Sequence, residues 1–167
     1  VMVAFMLGLA LRQMAELAEL MGEENDYLAR YEAMKETVNR VAWDGEWYAR
    51  ATMDDGRFLG VRREPMAKIW LNAQTWAVLS GMAPAQRAHQ AMDSVRRYLN
   101  TPLGIKKIDP AMADYPTPED PLTYYNKGCG ENGSVFCHAN AWAVIAECLL
   151  GRGERAWEYY SQLLPMN

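Results

Sequence analysis

The chain has 167 residues, half of them apolar and 23% charged, with a formal net charge of 17 − 21 = −4. That length supports one domain with its own core, and the composition excludes disordered, collagen-like and low-complexity chains. The acidic balance lacks the basic footprint of a general nucleic-acid binder, so no nucleic-acid partner is expected.

Val1 to Leu11 carries no charge. The run is too short for a bilayer, which needs about 20 apolar residues, so no membrane partner is expected. It also lacks the basic start and small-residue cleavage site of a signal peptide. It reads as a buried helix entered partway along, in a chain that is part of something longer, because no capping residue precedes it. Met14, Leu17, Ala18 and Met21 continue the helical spacing, and Gly22 is placed to end it. Asn25 or Asp26 can cap the next helix, whose apolar positions Tyr27, Tyr31, Met34, Val38 and Val41 fall on one face.

Asp54-Asp55-Gly56 is a turn signal between two extended runs, which predicts one small β-hairpin. A helix follows over Ile69–Leu79, ended by Gly81. The next starts at Pro84 with Ala88, Met92, Val95 and Leu99 facing inward. The basic pairs Arg62-Arg63, Arg96-Arg97 and Lys106-Lys107 read as solvated surface. From Asn100 to Phe136 there is little periodicity and many prolines and glycines, the mark of a long functional loop. Trp142, Ile145, Ala146 and Leu149 then form a helical stripe, with Cys148 as a small core residue beside it. A final helix carries Ala156, Trp157, Tyr160, Leu163 and Leu164. Six paired helices and a minor hairpin predict a mainly α fold.

Cys129, Cys137 and Cys148 are odd in number and irregularly spaced, which reads as reduced thiols in a cytoplasmic protein. Without a C-x-x-C pair or a second nearby histidine, no metal site is expected. There is no phosphate-cradling glycine loop and no serine elbow, and the neighbours Cys137 and His138 need not face each other as a nucleophile and base would.

The stretch from Tyr124 to Trp142 is the richest in chemistry. Glu131 lies among glycines that let backbone approach a ligand closely, and its carboxylate can accept from two adjacent sugar hydroxyls. His138 stands just before a helix start, where unpaired N–H groups favour anions. The bland alternatives are that Glu131 bonds its own loop and that His138 caps the helix or stacks on Trp142.

Several blocks taken in order resemble the catalytic domain of glycoside hydrolase family 94, the cellobiose phosphorylase group. They are Trp43-Asp44-Gly45-Glu46-Trp47-Tyr48 with Arg50, Lys68-Ile69-Trp70-Leu71 with Gln74 and Trp76, and Ala91-Met92-Asp93-Ser94-Val95. Gly130-Glu131-Asn132-Gly133 follows with Phe136-Cys137-His138, Asn140 and Trp142, then Gly151-Arg152-Gly153-Glu154-Arg155-Ala156 with Tyr159-Tyr160. The resemblance spans nearly the whole chain, as one partial domain over 1–167. It implies part of an (α/α)6 barrel and an inverting phosphorolysis of a β-linked disaccharide to α-glucose 1-phosphate. The partners would be carbohydrate and inorganic phosphate, the latter as co-substrate, with no cofactor. By position, His138 matches the family's phosphate-binding histidine and Glu131 a glutamate of the sugar site. Tyr125 falls where the family has an acceptor-site aromatic, and Gln74, in a family block, is grouped with the substrate-binding residues. Trp70 and Asn72 depart from the family's usual phenylalanine and glutamate. The family's general acid, an aspartate in an Asp-Trp-Asn-Asp motif, is expected upstream of Val1, so no catalytic residue is assigned. Related readings are the phosphorylase domain of a cyclic β-glucan synthase, a hydrolase on the same barrel, and a non-catalytic helical module. A partial barrel would expose helix faces, so self-association or a homo-oligomer is expected.

Overall fold

A computed structural model describes residues 1–112 and 125–165. Six helices dominate: α1 (Met2–Met21), α2 (Tyr27–Val41), α3 (Leu71–Leu79), α4 (Ala85–Tyr98), α5 (Cys137–Leu149) and α6 (Gly153–Ser161). Each helix that closes a pair packs on the one before it, α2 on α1, α4 on α3 and α6 on α5, while α1, α3 and α5 stand in a row. The fold is therefore mainly α, in two layers of helices. Gly22 ends α1 in the left-handed region at φ 70°, and the Glu23 N–H reaches back to the Ala18 carbonyl. Asn25 caps α2 from just outside, its Oδ1 accepting from the Tyr27 N–H at 3.1 Å.

The strands are more numerous than the single hairpin expected. That hairpin exists, as β1 (Ala51–Thr52) against β2 (Phe58–Leu59). Two further antiparallel pairs lie where the sequence shows no alternation: β3 (Ile69–Trp70) with β6 (Ile108–Asp109), and β4 (Asn100–Thr101) with β5 (Gly104–Ile105). Two-residue strands are too short to show a period of two, so the 100–112 segment reads as loop in sequence. Ile69 and Trp70 thus precede α3 as a strand. Of the long loop, residues 113–124 fall outside the described residues, and Tyr124 with them.

Two cores meet along α3. One gathers Phe5, Leu11, Tyr31, Tyr48, Ala73, Ala77 and Met82 between α1, α2 and α3. The other joins α3 to α4, α5 and α6 through Trp47, Leu71, Met92, Val95, Leu99, Ala139, Ala143, Ala146 and Tyr159. The stripe expected on α5 is only partly inward. Ile145, Leu149 and Cys148 are exposed, and small residues, Ala139, Ala143 and Ala146, make the packed face. Small side chains let α5 lie close to α3, so its large ones point outward. On α6, Tyr159 rather than Tyr160 or Trp157 is buried. Among the described residues, no helix is long and apolar enough to cross a membrane.

Candidate functional site

Two carboxamides set the frame. Gln74 on α3 accepts from the Tyr48 N–H (2.8 Å) and donates to the Tyr48 carbonyl (2.9 Å) and to Trp70 O, four residues back (3.0 Å). Asn140 on α5 repeats this with Ile105: its Oδ1 accepts from Ile105 N (2.7 Å), and its Nδ2 donates to Ile105 O (2.9 Å) and Phe136 O, four residues back (3.0 Å). Each side chain stands in for the edge of a strand and locks a neighbouring segment to the first turn of its helix. Gly104 makes the second clamp possible. A Cβ there would fall 2.7 Å from Val135 Cγ1 and 3.3 Å from Asn140 Oδ1.

The segment so held carries Lys107. Its carbonyl accepts from Leu71 N at the start of α3 (3.0 Å), and its own N–H donates to Ser134 O (2.8 Å), just ahead of α5. The starts of α3 and α5 are thus joined through one residue. Lys107 was expected on the solvated surface with Lys106. Instead it is 6% exposed, its ammonium paired with the Glu131 carboxylate and 4.6 Å from the centre of the Phe136 ring.

The Glu131 loop closes around Asn132, which is fully buried. Asn132 N donates to Cys129 O (2.9 Å), and its side chain donates to Tyr125 O (2.8 Å) and accepts from Met112 N. Gly130 sits at φ 52°, and a Cβ on it would come within 2.7 Å of the Tyr125 ring. The ring is therefore seated against the backbone that presents Glu131. Arg50 adds a second positive charge: burial lowers its pKa, and the charge of Glu131 partly restores it. Its guanidinium lies 5.0 Å over Trp70.

His138 lies inside the first turn of α5, not ahead of it, because the helix opens at Cys137 with Phe136 as its cap. It is exposed. Its ring meets Phe136 edge-on at 4.6 Å and Trp142 at 4.9 Å, and Trp142 meets Trp76 at 5.3 Å. The structure thus brings together Tyr125, Glu131 and, through Lys107 and Phe136, His138. Gln74 is apart from them: it has no exposed surface and both amide protons are spent on backbone. Lys107 is a site residue that sequence reasoning missed, having placed it with Lys106 on the surface. The apolar neighbours Ile105 and Ile108 on either side of the basic pair were the available signal.

This arrangement presents a carboxylate, an aromatic face and an exposed imidazole at a helix start, partners suited to hydroxyls and an anion. A family model, the catalytic domain of the glycosyl hydrolase 94 superfamily, matches residues 1–167. The chain belongs to glycoside hydrolase family 94. It is 38% identical over 160 residues to a solabiose phosphorylase from Paenibacillus borealis, covering 93% of this chain and 21% of that protein. It is 35% identical to an N,N'-diacetylchitobiose phosphorylase from Vibrio proteolyticus, with 99% of this chain and 21% of that protein aligned. A cyclic β-(1,2)-glucan synthase from Rhizobium meliloti is 33% identical over 140 residues, 81% of this chain and 5% of that protein. The chain spans about a fifth of the length of the phosphorylases it matches.

Another charged cluster of this family 94 chain lies beyond the last turn of α5. The Asp93 block and the Arg152–Arg155 block, both part of the resemblance, are tied to each other: Asp93 accepts from Arg152 at 2.8 Å and Arg155 at 2.7 Å. A cavity of about 440 Å³ lies beside them, lined by Arg96, Arg152, Arg155, Glu154 and Glu158. Its arginines are paired with Asp93 and Glu158, and it lies at the far end of α5 from His138. Among the described residues, no group of three or more His, Cys, Asp or Glu could hold a metal ion.

Proposed function

We propose that this chain is part of the catalytic domain of an inverting disaccharide phosphorylase and carries part of its sugar and phosphate sites. The observation that supports this most is the exposed His138 in the first turn of α5, at the position of the family's phosphate-binding histidine, in a chain matched to the family over its whole length. In the reaction, a carboxylic acid protonates the glycosidic oxygen while phosphate attacks the anomeric carbon from the opposite face. The products are α-glucose 1-phosphate and a free sugar, and phosphate replaces the base-activated water of an inverting hydrolase. His138 donates to the phosphate, helped by the N–H groups that a helix start leaves outside its own ladder. Glu131 accepts from sugar hydroxyls and Tyr125 offers its ring to the acceptor sugar. Gln74 serves by fixing the Tyr48 segment. The general acid comes from an aspartate outside these 167 residues, in a fuller (α/α)6 barrel. Val3, Leu7, Leu17 and Leu20 stand exposed on α1, and we expect the isolated chain to self-associate through such faces. A monodisperse monomer in light scattering would argue against that expectation.

Titration of the chain with inorganic phosphate, followed at the His138 ring resonances by NMR, tests the reading. A saturable shift that His138→Asn abolishes supports it. No shift, or the same response elsewhere in the His138→Asn protein, overturns the phosphate assignment. Release of glucose 1-phosphate from cellobiose by the chain alone would overturn the placing of the acid outside it.

A further inference from the structure

We infer that Lys107 is a positioning residue that holds the sugar-facing Glu131 and the phosphate-facing His138 in one fixed relation. The inference rests on the roles proposed above for those two groups and adds what joins them. Three contacts carry it. The Lys107 ammonium is buried and ion-paired with Glu131. The same ammonium lies 4.6 Å from the centre of the Phe136 ring, a distance at which a cation is drawn to an aromatic face. Phe136 in turn packs edge-on against His138 at 4.6 Å and caps α5.

The chemistry suits the task. A lysine ammonium is a compact charge with three donors, so it can hold a carboxylate and still press on a ring. Burial keeps the ammonium in place, because a cation away from water stays with the partners that offset its lost hydration. The partners differ in exposure. The Glu131 side chain is 38% accessible and His138 is exposed, so both keep a free side for ligand. Lys107 keeps none, and so acts through them and not on the substrate. Its backbone is fixed at both faces by Leu71 N and Ser134 O, which prevents the ammonium from drifting with either loop.

The test compares wild type, Lys107→Met and Lys107→Arg, with side-chain NMR of Glu131 and His138 before any ligand is added and Glu147 at the other end of α5 as internal reference. In Lys107→Met, the Glu131 carboxyl and His138 ring signals should both move by more than a linewidth while Glu147 stays. Lys107→Arg, which keeps the charge, should return both toward wild type. Phosphate should then bind Lys107→Met roughly twofold to thirtyfold more weakly, the span by which mutations between two sites alter their coupling. Should Lys107→Met fail to fold, Phe136→Leu replaces it. That variant should release His138 and leave the Glu131 signal in place. Unmoved signals in Lys107→Met, a matching shift at Glu147, or no recovery in Lys107→Arg would each overturn the inference. A wild-type chain blind to phosphate would instead count against the proposed function, since the ligand-free comparison still reads the link.

Discussion

A glutamate stands beside basic residues on each side of α5, Glu131 in the loop ahead of it and Glu147 in its last turn, and the two behave differently. At the first end, Glu131 meets Lys107 and keeps about a third of its side chain accessible. At the last end, Glu147 has no accessible surface, and among the described residues neither carboxylate oxygen has a hydrogen bond. Arg155 and Arg152 stand 3.6 and 3.7 Å from it but turn their donors to Asp93. Burial raises the pKa of Glu147 and the two arginines only partly offset this. For Asp93, burial acts upward too, yet the hydrogen bonds from Arg155 and Arg152 outweigh it and hold the carboxyl below its usual value. What separates a site from a structural knot here is reach, not charge: one glutamate has a free side for a ligand and the other has none.

The contrast can be broken from either end. Arg155→Met should cost the most, about 2 to 3 kcal/mol in urea unfolding, because it strips a partner from a buried carboxylate while Arg152 remains. Asn140→Ala removes the clamp on Ile105 and should cost about 2 kcal/mol, since it leaves a buried N–H and C=O unpaired. Glu147→Gln should change the pH dependence instead. In the wild type the folded protein holds the Glu147 proton above the unfolded value of 4.5, so this group lowers stability as pH rises past that point. The glutamine variant should lack that decline, read from urea midpoints measured from acid to neutral pH. An unchanged slope would mean that Glu147 is not the dehydrated group described. His138→Asn should move stability least, within about 0.5 kcal/mol for an exposed side chain, while abolishing the phosphate response. A large loss of stability there would make His138 part of the structural framework.

All six helices could be read from apolar spacing and turn residues, since that signal persists over two or more turns. The helix faces were less legible. On α5 the stripe of large residues was apolar and yet half outward, because close packing against α3 selects small side chains and leaves Ile145 and Leu149 exposed. Cys148 followed the same error. Glu131, Tyr125 and His138 stood out by residue type and family position, and they lie where the loop and the α5 start converge. Lys107 did not, because its burial depends on pairing β6 with β3, residues about forty apart in sequence. Gln74 looked like a ligand contact and is a clamp: a polar residue in a family block can be there for the backbone.

Trp142 gives the site an optical voice. Its indole ring lies against both His138 and Trp76. An anion drawn to the imidazole changes the field and polarity at that indole, so intrinsic fluorescence should follow occupancy without any label. Six tryptophans emit in this chain, and Trp142→Phe should silence the responsive one. The aromatic pairing that packs α5 against α3 would therefore report an anion held at His138.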